Sequence, residues 1–236
     1  MPYMTLQTKS CLASKLLALL TVTLLIHFVP FLTNAQELIV ENSKPCKTIV
    51  IGFVGGMRSP EDLTQGVVQI GNRLRNLNQS DLQVNIYRHW SWRRAYREIY
   101  QNIDRDRDES LSKEEIKLAP KIIIYGHSLG GWAVIKLSRK LEKKGIQVEL
   151  IVQIDSVGPG DEVIPSNVKS AANYYQRTLL ILRGEKRIRA EDEKKTNVEG
   201  NFLIRDVGHE GLARRAEISD FIIDKVRRLC VCSTGL

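Results

Sequence analysis

The chain has 236 residues, 35 Lys and Arg against 27 Asp and Glu, a formal net charge of +8 at pH 7, and 43% hydrophobic residues. That length suits one domain with its own core, and the apolar content excludes a disordered or low-complexity chain. The positive surplus invites a nucleic-acid partner, but the cations lie on several helix faces and alternate with acids. That is the pattern of a solvated surface, and no nucleic acid is expected.

Lys9 and Lys15 lead into an apolar run over residues 16–26, Pro30 breaks it, and Thr33-Asn34-Ala35 precede Gln36. This is the layout of a secretory signal over residues 1–35, cleaved after Ala35. The alternative is an uncleaved anchor, because the apolar region reaches Leu32; His27 and Pro30 interrupt such a span. The protein is expected to be secreted or periplasmic, or membrane-anchored if the leader stays. Without Lys9 and Lys15 the exported part, residues 36–236, carries about +6. It keeps Cys46, Cys230 and Cys232. In an oxidising compartment one bridge and one leftover thiol is the simplest arithmetic, with Cys46 reaching Cys230 or Cys232.

From Thr48 the chain alternates strands and helices. Residues 48–54 read as a buried strand ending at Gly55-Gly56, and Pro60 opens a helix with Leu63, Val67, Ile70, Leu74 and Leu77 on one stripe. Residues 82–87 form the next strand, and Trp92, Tyr96, Ile99 and Ile103 line the next helix. Residues 121–125 are an apolar strand, and Ala133, Leu137 and Leu141 recur on the helix that follows. Residues 148–154 make another strand. A short helix near 167–175, strands over 178–183 and 201–207, and a C-terminal helix with Ile218, Phe221, Ile222, Val226 and Leu229 on one side complete the series. Repeated β-α units predict a three-layer α/β domain, a mostly parallel sheet with helices on both faces.

Before the third strand, residues 104–115 look like an EF-hand calcium loop. Asp104, Asp106 and Asp108 stand at positions one, three and five, the Ser110 carbonyl at seven, Ser112 at nine and Glu115 at twelve. Glu109 replaces the glycine of position six, where a side chain resists positive φ. A structural Ca2+ is expected there, with no cofactor for catalysis.

Gly126-His127-Ser128-Leu129-Gly130 joins an apolar strand to an amphipathic helix. Gly-x-Ser-x-Gly in that setting is a turn tight enough to lift the serine clear of the sheet and aim the Leu129 N–H at a developing oxyanion. Ser128, then Asp155 after the next strand, then His209 near the last strand follow in the order serine, acid, histidine. In these features the chain resembles the α/β-hydrolase superfamily, and more narrowly its small secreted esterase, lipase and thioesterase-like members. The likeness covers about residues 48–229.

The resemblance implies an α/β-hydrolase fold and a triad of Ser128 as nucleophile, His209 as base and Asp155 as acid, with Glu185 the next choice and Asp192 a weaker one. It also implies a second oxyanion donor from the loop after the first strand. The usual His-Gly pair is replaced there by Val54-Gly55-Gly56, and Gly56 is the choice. The expected activity is cleavage of a carboxylic ester or thioester through an acyl-enzyme, on a small-molecule or lipid-like acyl substrate, by a monomer. Trp90, Trp92 and Trp132 are candidates for an acyl pocket and equally for the core. The alternatives are a catalytically silent hydrolase-fold binding module and a calcium-stabilised surface adhesion protein; neither needs an intact triad.

Overall fold

The computed structural model describes residues 47–178 and 183–231. The segment expected to be a leader, Cys11, Cys46, Cys232 and most of the strand expected over 178–183 lie outside the described residues.

Six strands form one sheet: β1 Thr48–Val54, β2 Leu82–Arg88, β3 Lys121–His127, β4 Val148–Ile154, β5 Val168–Tyr175 and β6 Asn197–Leu203. Their order is β2-β1-β3-β4-β5-β6, and every adjacent pair is parallel. The helices are α1 Gly66–Arg75, α2 Trp92–Ile103, α3 Lys113–Lys117, α4 Leu129–Glu142, α5 His209–Leu212 and α6 Ala216–Val231. None of the described helices is long and apolar enough to cross a membrane.

The central strands are continuously apolar because both faces are covered. Ile49, Ile51, Phe53, Ile122 and Ile124 pack with Ala95, Ile99, Ile103, Leu137 and Leu141 of α2 and α4. Val50, Val54, Ile123 and Tyr125 pack on the other side with Val67, Ile70 and Leu74 of α1 and Ile218, Ile222 and Val226 of α6. This is the expected three-layer architecture.

Three local expectations change. The helix expected from Pro60 begins at Gly66; residues 60–65 are turns, and Leu63 is 67% exposed instead of on the buried stripe. The segment 167–175 is strand β5, not a helix. Asn173 fits between β4 and β6 because its amide finds side-chain and main-chain partners there, and Ala171 and Ala172 leave room for covering elements on both faces. The last strand is displaced toward the N-terminus, Asn197–Leu203. Ile204 and Val207 pack on the core from a loop. Cys230 sits beside Thr48, its sulfur 3.7 Å from the hydroxyl, which places the C-terminal helix against the start of β1.

The β3–α4 turn packs without spare volume. A Cβ on Gly126 would lie 2.3 Å from the Gly130 carbonyl oxygen, and one on Gly130 would lie 2.2 Å from the Phe53 oxygen. Both obstacles are main chain and cannot rotate away. Gly208, by contrast, has open space and an ordinary extended φ of −84°. Gly126→Ala should therefore lower unfolding stability by about 1–3 kcal/mol or more, the scale of overpacking. Gly208→Ala should leave it unchanged or raise it slightly. Urea midpoints of the two variants make the comparison, and an unaffected Gly126→Ala would refute the crowding.

Candidate active site

In the order β2-β1-β3 the chain leaves β1 in one direction and returns on its other side. The carboxyl ends of β1 and β3 therefore lie side by side at the point where the winding reverses, the usual place for a ligand in such sheets. Ser128 follows β3 directly, and Gly55-Gly56 follow β1. Ser128 sits at φ 57°, ψ −127°, a conformation rare for a residue with a side chain. Main-chain bonds hold it there. Its N–H donates to the Ile154 carbonyl at 3.0 Å, and its own carbonyl accepts from Gly131 at 2.9 Å and Val157 at 3.1 Å. A Cβ on Gly55 would fall 2.7 Å from the Ser128 Cβ and 3.4 Å from the Leu129 nitrogen. The loop after β1 thus lies against the N-terminus of α4, and the two oxyanion-hole candidates, Leu129 and Gly56, belong to touching segments. Gly56 is left-handed at φ 49°.

Asp155 ends β4 in a left-handed conformation, φ 45°, and is fully buried. Its carboxylate accepts from His209 Nδ1 at 2.7 Å, Gln176 Nε2 at 2.9 Å, the Gly184 N–H at 2.9 Å and the Gln176 N–H at 3.4 Å. Burial alone would raise its pKa, but the bonds from His209, Gln176 and Gly184 outweigh burial and hold it below the usual range. A charged Asp155 can only accept, so His209 Nδ1 carries a proton toward it. Nε2 is then the basic nitrogen of the neutral ring. Asp155 is thus the carboxylate bonded to His209. The Glu185 side chain groups with Asp161 and Glu162 instead, and Asp192 caps a surface turn through the Lys194 N–H at 3.0 Å.

His209 heads α5 and is buried. Its position comes through His127, the residue before Ser128. His127 Nε2 lies 2.9 Å from the His209 carbonyl oxygen, and the two rings stand 4.5 Å apart at 39°. A carbonyl only accepts, so His127 donates. Burial first, then repulsion from His209, push His127 down to about 4, so it is neutral near pH 7. The Ser128 hydroxyl makes no hydrogen bond to His209 among the described residues, a looseness common in sites without substrate.

One histidine outside the expected triad, His127, therefore supports it. The contact leaves no mark in the sequence, because it forms between segments distant in the chain. At the rim Arg58 and Glu210 pair at 3.3 Å, half exposed, and such a pair contributes little. Trp92 and Trp132 are partly buried against the core and line a cleft of about 420 Å³ with Arg93, Lys136, Arg139, Lys140 and Lys143. Trp90 is 44% exposed under the Arg88 guanidinium.

The 104–115 loop brings only part of its expected ligand set together. Asp104, Asp106 and Asp108 place carboxylate oxygens within 4.8 Å of one another. Glu109 takes φ 64° despite its side chain, and its N–H donates to Asp104 Oδ2 at 3.2 Å. Asp104 is buried, and its Oδ1 has no hydrogen-bond partner. Glu115 stays apart. Its oxygens accept from the Ser112 N–H at 3.0 Å, the Ser112 hydroxyl at 2.8 Å and the Arg105 N–H at 2.7 Å, closing a capping box at the start of α3. Those main-chain bonds, from Ser112 and then Arg105, hold it down to about 2. The Ser110 N–H donates to Asp108 Oδ1 at 2.8 Å.

No protein-family model matches the chain, and no curated protein is similar enough in sequence to match. Among solved structures it is similar to human thioesterase 2, at 9% identity and a TM-score of 0.43 over 80% of this chain and 99% of that one. It is similar to an α/β serine hydrolase without a lid from Xanthomonas campestris, at 13% identity and 0.42 over 78% and 85%. An esterase from Pyrobaculum calidifontis gives 13% and 0.41 over 81% and 79%. These neighbours are esterases, thioesterases and hydrolases of the α/β superfamily. At such distances the functional reading rests on the side-chain geometry.

A buried neutral His127 has a thermodynamic signature. Its folded pKa lies below the unfolded value of about 6.5, so its contribution is complete above that pH and is lost as pH falls toward about 4. The shift corresponds to roughly 3 kcal/mol. Asp161, raised to about 6, works oppositely, losing stability as pH rises from about 4 through 6. The stability difference between wild type and His127→Gln isolates the histidine. It should narrow by about that amount between pH 7 and pH 4 in urea titrations; a constant difference would place His127 in solvent.

Proposed function

We propose that this protein is a serine hydrolase cleaving a carboxylic ester or thioester through an acyl-enzyme. The observation that carries the reading is the 2.7 Å bond between buried Asp155 and His209, built against a serine held at positive φ on a strand-to-helix elbow. His209 Nε2 takes the Ser128 proton as Oγ attacks the acyl carbon, and charged Asp155 stabilises the imidazolium. The N–H groups of Leu129 and Gly56 receive the oxyanion. The protonated His209 then gives its proton to the leaving alcohol or thiol. Water, activated by the same Nε2, releases the acid. The leader supports export, and the substrate is a small or lipid-like acyl compound acted on by a monomer.

A fluorophosphonate probe should label the wild type on the peptide containing Ser128. Ser128→Ala should lose labelling and p-nitrophenyl butyrate hydrolysis, with activity down at least thousands-fold and an unchanged melting temperature. Asp155→Asn should fall by about 10⁴-fold, because His209 would adopt the wrong tautomer, and Glu185→Gln by far less. Full activity in Ser128→Ala would refute Ser128 as the nucleophile, whereas a wild type that neither labels nor hydrolyses the ester would leave the fold as a binding module.

We also propose that the 104–115 loop holds a structural Ca2+ through Asp104, Asp106 and Asp108 with the Ser110 carbonyl, and Glu115 once it leaves its capping bonds. The left-handed Glu109 and the unpaired Asp104 Oδ1 support it. Affinity should lie near 10⁻⁴–10⁻³ M, because Glu115 must exchange partners. Asp106→Asn should reduce the rise in melting temperature that millimolar calcium produces; equal rises in variant and wild type would remove the loop from consideration.

A further inference from the structure

Directly behind Asp155 the fold gathers oxygens that the proposed reaction does not use. Asp161, Glu162 and Glu185 each place a carboxylate oxygen within 4.8 Å of the other two. Asp161 is fully buried. One of its oxygens accepts the Ser156 hydroxyl, and the other, Oδ1, has no partner.

Two further buried side chains, tied to the same segments, carry unpaired oxygens. Gln153 and Asn173 are register neighbours on β4 and β5, and both are fully buried. Gln153 Nε2 donates to the Asp161 carbonyl at 2.8 Å, and Asn173 Nδ2 donates to the Glu185 carbonyl at 2.8 Å. Each amide is thereby anchored to the main chain of a clustered residue, and Gln153 Oε1 and Asn173 Oδ1 are left without a donor. Buried acceptors are rarely left without a donor, and three occur here, on Asp161 itself and on the two side chains bonded to the Asp161 and Glu185 main chain. Burial first, then repulsion from Glu185 and Glu162, push Asp161 up to about 6 against the pull of the Ser156 hydroxyl. Three buried oxygens thus lack donors beside three clustered carboxylates.

A hard divalent cation takes such a set: carboxylate and amide oxygens, in irregular geometry, on loops that can adjust. Calcium tolerates that arrangement better than magnesium, which demands a regular octahedron. We propose that Asp161, Glu162 and Glu185 bind Ca2+, with the Gln153 and Asn173 amide oxygens completing its shell, at a site separate from the 104–115 loop. The ion ties together the two segments that hold the Asp155 carboxylate. Ser156 is the next residue along the chain from Asp155. Gly184, which donates to Asp155 Oδ1, precedes Glu185, whose own N–H donates to the Ser156 carbonyl at 2.9 Å. The site depends on none of Ser128, His209 or the esterase reading, and it stands if that reading fails.

The test separates it from the other loop. In full-length protein carrying Asp104→Asn and Asp106→Asn, calorimetry with calcium chloride alone should show one Ca2+ per chain and a melting temperature that climbs with calcium. Adding Glu162→Gln should weaken that binding at least tenfold, and Asp161→Asn should do the same. Glu162 is only partly buried, so its variant keeps the test valid if Asp161→Asn fails to fold. Fluorophosphonate labelling of the Glu162→Gln protein reports on Ser128 independently, and its loss or retention leaves the calcium result as it is. The proposal is overturned by absence of heat and of any melting shift at millimolar calcium in the loop-deficient parent. It is equally overturned by unchanged affinity in Glu162→Gln.

Discussion

The buried Asp155 carboxylate is the constraint on which the rest of the site depends. A charge with no exposed surface is tolerated only when its oxygens are filled. Here the donors come from three places: the His209 ring, Gln176 just past β5, and the Gly184 N–H on the segment leading to β6. Satisfying one carboxylate therefore draws together the ends of β4 and β5 and the loop that carries the base. The same bonds that keep Asp155 ionised also fix the imidazole tautomer. Structural need and chemical competence coincide in a single group.

The second arrangement is electrical. The His127 and His209 rings stand 4.5 Å apart, tilted by 39°, and two positive rings at that separation in a buried place would repel strongly. Burial keeps His127 neutral, which leaves His209 as the base of the proposed reaction. His127 spends its own N–H on the His209 carbonyl, turning a potential competitor into a brace.

Much of this was legible because the signals are local. The glycines flanking Ser128 announce a strand-to-helix turn, and their crowding against the Phe53 and Gly130 carbonyls shows why no larger residue serves. Asp155 was readable as the polar residue ending an apolar strand. Strand β5 was not: Ser170, Asn173 and the paired alanines give neither helical period nor alternation, and only burial between β4 and β6 makes the segment extended. The last strand slid because Ile204 and Val207 look like strand residues while packing from a loop. The supporting role of His127, and the unpaired oxygens on Asp161, Gln153 and Asn173, arise from contacts between segments distant in the chain, and a linear reading has no access to them.

The position of β1, one strand in from the edge of the sheet, carries a consequence for how the chain reaches this state. β1 pairs on one side with β2 and on the other with β3, whose partner for Thr48 is Lys121. During synthesis the apolar strand Thr48–Val54 must wait for the whole β2, α2 and 104–115 region before its second edge is closed. Parallel pairing over such separations is slow, and an open hydrophobic edge recruits other chains while it waits. The strand that anchors the finished sheet is therefore its most aggregation-exposed element in the nascent chain, and a bound ion in the intervening loop would shorten the interval by holding α2 and β3 in reach of each other.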